Sequence, residues 1–126
     1  MKEIVKTAGA PAAIGPYSQG VVASGRLMFV AGQTPKDPKS GEVPRDFRAQ
    51  VERSLESVKA IVEASGAALS DVVKVNAYLA DLGNFAAFNE VYARYFKEPF
   101  PARTTVGANL PIGVAVEVDA VVALKG

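Results

Sequence analysis

The chain contains no cysteine, no histidine and no tryptophan, and the first two absences remove whole classes of chemistry. Without a thiol or an imidazole there can be no Ser-His-Asp or Cys-His triad, no thiolate nucleophile and no zinc site built on Cys or His. Disulfides are excluded too, so an oxidising compartment offers the fold nothing. Charge of one sign is not in excess: 14 Lys and Arg stand against 13 Asp and Glu, a net charge of +1, which leaves no chain-wide field to steer the protein toward nucleic acid or an anionic membrane. No apolar run approaches the roughly 18 residues of a membrane span, and Met1 to Lys6 lacks the apolar core of a secretion signal. The expectation is a cytoplasmic protein with neither a membrane nor a nucleic acid among its partners. Asp37, Asp71 and Asp81 are too scattered to form a metal constellation, and no glycine-rich loop has the spacing that cradles phosphate. Any chemistry must use Arg, Glu, Asp, Tyr, hydroxyls, amides and the backbone.

What is present reads as one α+β domain over residues 1–126, long enough to bury about two-thirds of its unfolded surface behind a single core. Ala12 to Gly20 is a structured loop in which Gly15 and Pro16 fix the backbone around Tyr17. Val21 to Ser24 and Leu27 to Ala31 predict two strands joined by a Gly25-Arg26 hairpin turn, the second ending at Gly32. Lys36 to Pro44 is a surface loop. Asp46 is placed to cap a helix whose Phe47, Val51, Leu55, Val58 and Val62 form one buried stripe, with Gly66 as its stop. Asp71 to Ala80 predicts a strand covered at least partly on both faces. Asn84 can cap a second helix, with Phe85, Phe88, Val91 or Tyr92, and Tyr95 turned inward, before Pro99 and Pro101 forbid its continuation. Arg103 to Ala108 and Val114 to Leu124 complete the set as strands about a short loop.

This order predicts a mixed sheet with two helices on one face. Strands that are apolar on both faces need a second cover, and further copies of the chain in closed cyclic symmetry are the simplest one.

Arg103 and Glu117 are charges in segments otherwise built for burial, and charged groups are almost never fully buried unless paired. If their strands form a hairpin, opposed residue numbers sum to about 222, which brings Arg103 across from residues 117–121. Two readings then stand side by side: a cross-strand ion pair, or a polar site in which the guanidinium fork takes a ligand carboxylate and Glu117 handles a proton or orients a water. Alone, Tyr17 reads as a core or interface aromatic, Asn89 as a helix-surface amide and Gly32 as a strand terminus.

Taken together and in order, Ala12-Ala13-Ile14-Gly15-Pro16-Tyr17-Ser18-Gln19-Gly20, Gly32-Gln33-Thr34-Pro35, Asn89-Glu90-Val91-Tyr92, Pro101-Ala102-Arg103 and Val116-Glu117-Val118 resemble the RidA/YjgF family of reactive enamine/imine deaminases. The resemblance spans nearly the whole chain. It implies a chorismate-mutase-like homotrimer with three sites in the clefts between subunits, acting without a cofactor on small 2-imino acids. It further implies that Arg103 binds the substrate carboxylate and Glu117 positions the attacking water, while Tyr17, Asn89 and groups near Gly32 and Thr105 complete the pocket. Two positions depart from the family's pattern: Ala31 stands where serine is common, and Thr105 where cysteine is. Other roles suggested for relatives are a metabolite-binding regulator, a chaperone-like holdase and an RNA-cleaving enzyme. For the last, this chain has no histidine for proton transfer and no basic cluster interleaved with aromatics.

Overall fold

A computed structural model describes residues 2–125. Two strands, β1 (Lys2–Val5) and β2 (Gly20–Ala23), form a small antiparallel ladder of their own. Four more, β3 (Leu27–Gln33), β4 (Val72–Leu79), β5 (Ala102–Gly107) and β6 (Val116–Ala123), form a sheet in the order β3-β6-β4-β5. α1 (Phe47–Ala64) lies in the chain between β3 and β4, and α2 (Phe85–Tyr95) between β4 and β5. β6 is antiparallel to both neighbours, whereas β4 and β5 run parallel. A parallel pair needs a crossover, and α2 supplies it.

Local sequence explains the helices. The Asp46 carboxylate accepts a hydrogen bond from the Ala49 N–H at 3.0 Å, satisfying one of the free donors of the first turn of α1. Gly66, at φ +88°, follows the last turn in a conformation that favours glycine. Between these ends Val51, Leu55, Val58 and Val62 are fully buried, as are Phe88, Val91 and Tyr92 of α2. They pack on the face of the sheet made by Val75, Ala77 and Leu79 of β4 and Val116, Val118, Ala120 and Val122 of β6. Surface ion pairs Arg48–Glu90 at 2.8 Å and Arg94–Glu52 at 3.0 Å also join the helices. Exposed pairs of this kind contribute about 0.2–1 kcal/mol, so apolar burial dominates the contact.

The opposite face of the sheet is open and mixed. Asn76 donates to Asp119 Oδ1 at 2.8 Å, the Tyr78 hydroxyl donates to Asp119 Oδ2 at 3.0 Å, and Lys74 donates to Thr104 at 2.8 Å. Leu27, Phe29 and Val106 are uncovered, Phe29 with 73% of its surface exposed.

Several pairings differ from those that the sequence suggests. Gly25 does adopt a positive φ of +94°, but β2 and β3 do not form a hairpin, since β2 pairs with β1 and β3 with β6. β1 is four residues long and carries two charges, too short a pattern to announce a strand. β5 and β6 are not a hairpin either, because β4 lies between them. The loop joining them straddles the end of β4: Ala108 N–H donates to Leu79 O at 2.9 Å on one side, and Ala80 N–H donates to Ala115 O at 3.0 Å on the other. A short connection was thus compatible with strands two places apart as well as with neighbours. Asn84 makes no side-chain cap of α2; Asp81 serves the preceding turn instead, accepting from Gly83 N–H at 2.8 Å.

Candidate functional site

Arg103 on β5 is opposite Val75 of β4, which in turn is opposite Ala120 of β6. Both of those neighbours are buried beneath the helices, so the guanidinium projects to the helix-covered side. It meets rings there. Its Cζ is 4.8 Å from the ring centre of Tyr92, 5.4 Å from that of Tyr17, 5.5 Å from Phe88 and 5.7 Å from Phe85, all within cation–π range. Steps of three and four residues put Phe85, Phe88 and Tyr92 on one side of α2. Tyr17 comes from the loop before β2, which Ser18 anchors: its N–H donates to Pro101 O at 3.0 Å and its hydroxyl to Phe100 O at 2.6 Å.

No carboxylate among the described residues forms an ion pair with Arg103, and its Nη1 is buried without a hydrogen-bond partner. Burial lowers its pKa, with Tyr92 and Tyr17 acting in the opposite sense. Arginine starts so high that the group stays cationic at neutral pH. Asn89 Oδ1 and Thr105 Oγ1 are likewise buried and unpartnered. Thr105 is the next residue on the same face of β5, and the Asn89 amide is beside Gly15 and Tyr17, since a β-carbon at Gly15 would sit 3.6 Å from Asn89 Nδ2 and from the Tyr17 ring. Each such group costs about 1–3 kcal/mol unless something satisfies it, which makes the cluster around Arg103 the candidate site for a polar ligand.

Glu117 lies elsewhere. It is opposite Tyr78 and shares the open face with Asp119. Its carboxylate covers Gly32: a β-carbon there would collide with Glu117 Oε2 and lie 3.0 Å from Cδ and 3.3 Å from Cγ. Gly32 falls where the ladder slips between the pairs Val30–Ala120 and Gln33–Val118. Ala31 and Gly32 there oppose Asp119 alone, a β-bulge. The Asp119 oxygens are engaged by Asn76 and Tyr78, and that bond raises the Tyr78 pKa, whereas Glu117 is in no ion pair among the described residues.

The residues singled out from the sequence therefore form two groups. Tyr17, Asn89, Arg103 and Thr105 gather on the helix side of the sheet, and Gly32 and Glu117 meet on the open side. The expected approach of Arg103 to Glu117 within one chain is not found, because it rested on a hairpin that does not exist. Sequence periodicity assigned Phe85, Phe88 and Tyr92 to the core without a functional part. Nothing in the sequence separates these three rings from the ordinary buried side of an amphipathic helix. A cavity of about 550 Å³ adjoins the arginine cluster through Gly15 and Tyr17 and is otherwise lined by residues such as Val5, Lys6, Gln19 and Phe100, without Arg103.

Comparison with known proteins bears on the arrangement. Residues 7–124 match the family described as Endoribonuclease L-PSP. A RutC family protein of Pyrococcus horikoshii is 50% identical over 123 residues, covering 96% of this chain and 97% of the relative. The 2-iminobutanoate/2-iminopropanoate deaminase of Escherichia coli K12 is 46% identical over 125 residues, covering 96% and 97%. Among solved structures, Escherichia coli TdcF with bound serine superposes with a TM-score of 0.76 at 42% identity, covering 98% of this chain and 99% of that one.

Proposed function

The chain belongs to the RidA/YjgF family, and on that premise we propose that it is a cytoplasmic deaminase. Its substrates are 2-iminopropanoate, with its enamine tautomer 2-aminoacrylate, and 2-iminobutanoate, which it hydrolyses to 2-oxo acids and ammonia. The observation that carries the proposal is the guanidinium of Arg103, enclosed by aromatic rings yet bound to no carboxylate of the described protein. A fork held in this state is complementary to a substrate carboxylate, which it takes in two parallel hydrogen bonds. Asn89 Oδ1 is an acceptor suited to the N–H of the imine, and Tyr17 and Thr105 bound the pocket. Glu117 orients the water and takes its proton as oxygen adds to the imine carbon. Return of that proton to nitrogen makes ammonia the leaving group, and as the C–N bond breaks the remaining hydroxyl proton passes to the Glu117 carboxylate, leaving the 2-oxo acid. The protonated imine is already an electrophile, so the step needs no cofactor. The serine held by the related TdcF carries the same carboxylate and α-nitrogen.

Arg103 and Glu117 occupy opposite faces of the sheet, so one chain holds two half-sites. We assign each complete site to a seam between subunits of a homotrimer, with Arg103 from one and Glu117 over Gly32 from the next. The uncovered Phe29, Leu27 and Val106 of the open face supply apolar surface for that association. The test measures ammonia released from 2-iminobutanoate made in situ by a threonine dehydratase. Arg103→Ala lowers kcat/KM by about 100-fold or more, the loss of a bidentate charge-assisted contact, and Glu117→Ala lowers kcat. Mixed refolding of the two inactive variants in equal amounts restores about one quarter of wild-type activity, because each mixed trimer contains one seam with both groups intact. An active Arg103→Ala would refute the assignment of the arginine. Mixing that restores nothing would refute the shared seam.

A further inference from the structure

We propose that Tyr92 is the positioning residue of this site, holding the Arg103 guanidinium by its ring face so that the fork stays ordered and unneutralised for an incoming carboxylate. The inference rests on the deaminase reading above and gives a task to a residue which that reading leaves unused. A free arginine side chain samples many rotamers, and fixing it before the ligand arrives reduces the entropy lost on binding. Pairing with a protein carboxylate would fix it too, but would consume the N–H edge that the ligand needs. A ring face acts perpendicular to the guanidinium plane and leaves that edge free.

Tyr92 is the nearest of the rings, at 4.8 Å, and is itself immobilised. It is fully buried, stacks on Phe96 with ring centres 4.6 Å apart and planes 23° apart, and meets Phe88 at 5.5 Å. A column thus runs from Phe96 through Tyr92 to Arg103, joining the end of α2 to β5. The Tyr92 hydroxyl is buried without a partner, so phenylalanine would suit the core at least as well, and it is the ring that does the positioning.

The experiment compares Tyr92→Leu, Tyr92→Phe, Leu55→Ala and Arg103→Ala. Leu55 is a buried α1 residue outside the ring cluster, so its truncation controls for general loss of packing. Readouts are KM and kcat for 2-iminobutanoate, the calorimetric Kd of the product 2-oxobutanoate, and Tm, all kinetics being run well below the lowest Tm. Tyr92→Leu raises KM and Kd about tenfold, the effect of one desolvated cation–π contact, with kcat within threefold of wild type. Tyr92→Phe brings both constants back to within about threefold, and its Tm does not fall. Leu55→Ala lowers Tm yet leaves KM and Kd near the wild-type values. Equal effects of Tyr92→Leu and Leu55→Ala on KM, or a Tyr92→Phe as impaired as Tyr92→Leu, would overturn the inference. If Arg103→Ala itself leaves the Kd unchanged, the deaminase reading falls and takes this one with it; if only the Tyr92 variants behave as wild type, the deaminase reading stands alone.

Discussion

Substitution Gly32→Ala asks whether the glycine of the β3 bulge is there to make room for a carboxylate. Gly32 has no positive φ, so alanine is acceptable to the backbone and the perturbation is confined to one methyl group. That methyl would overlap Glu117 Oε2 and stand 3.0 Å from Cδ and 3.3 Å from Cγ, where carbon atoms prefer about 3.5–4.0 Å. The carboxylate must withdraw by about 1 Å, and a displacement of that size at a reacting group costs about 100-fold in rate. Because the proposed carboxylate grip belongs to Arg103 of another subunit, KM changes little and the loss falls on kcat. Stability barely moves, since an alanine that the backbone accepts contributes about 0.4–1 kcal/mol through the unfolded chain and offsets part of the crowding. The assay is ammonia release from 2-iminobutanoate by Gly32→Ala, Glu117→Ala and the double variant. In the double variant the methyl group has nothing left to displace, so its rate equals that of Glu117→Ala. A Gly32→Ala enzyme with kcat within threefold of wild type would refute the reasoning, as would a full additional loss in the double variant.

Two further outcomes concern the frame around the site. Phe29→Asp puts a charge on the open face, at the edge strand β3, where full burial of a phenylalanine contributes about 1.5–3 kcal/mol per copy. Light scattering shows a monomer with unchanged far-ultraviolet circular dichroism and no deaminase activity; an active trimer would separate the open face from assembly. Asp46→Ala removes the cap of α1 and lowers the unfolding free energy by about 1 kcal/mol in urea titration without altering KM. A change below about 0.3 kcal/mol would mean that water replaces the carboxylate at no loss.

The helices were legible because their signals are local. Asp46, the stripe from Val51 to Val62 and Gly66 lie within one 21-residue window of the sequence, and each acts on its neighbours in the chain. Strand pairing was not, because β6 lodges between β3 and β4, partners remote in sequence, and no turn residue specifies that insertion. The site residues were reached by resemblance and individually left ordinary alternatives open. Their division between two faces could not be read from alternation alone, which fixes the faces of a strand only after its neighbours are known. Tyr92 shows the limit in another form: a fully buried aromatic at helical spacing is indistinguishable in sequence from filler, and only the guanidinium beside it gives it a different task.

The place of β6 in the sheet also governs how the molecule can form. A nascent chain that stops before residue 116 possesses β3 and β4 but has nothing to join them, and each presents an unsatisfied ladder to whatever strand it encounters. Helix α1 can condense early on local contacts, yet the apolar floor it needs is completed only when Val116, Val118, Ala120 and Val122 arrive. Closure of the sheet therefore waits for the last strand, the long loops it entails slow that closure, and until then the open ladders are exposed to premature partners.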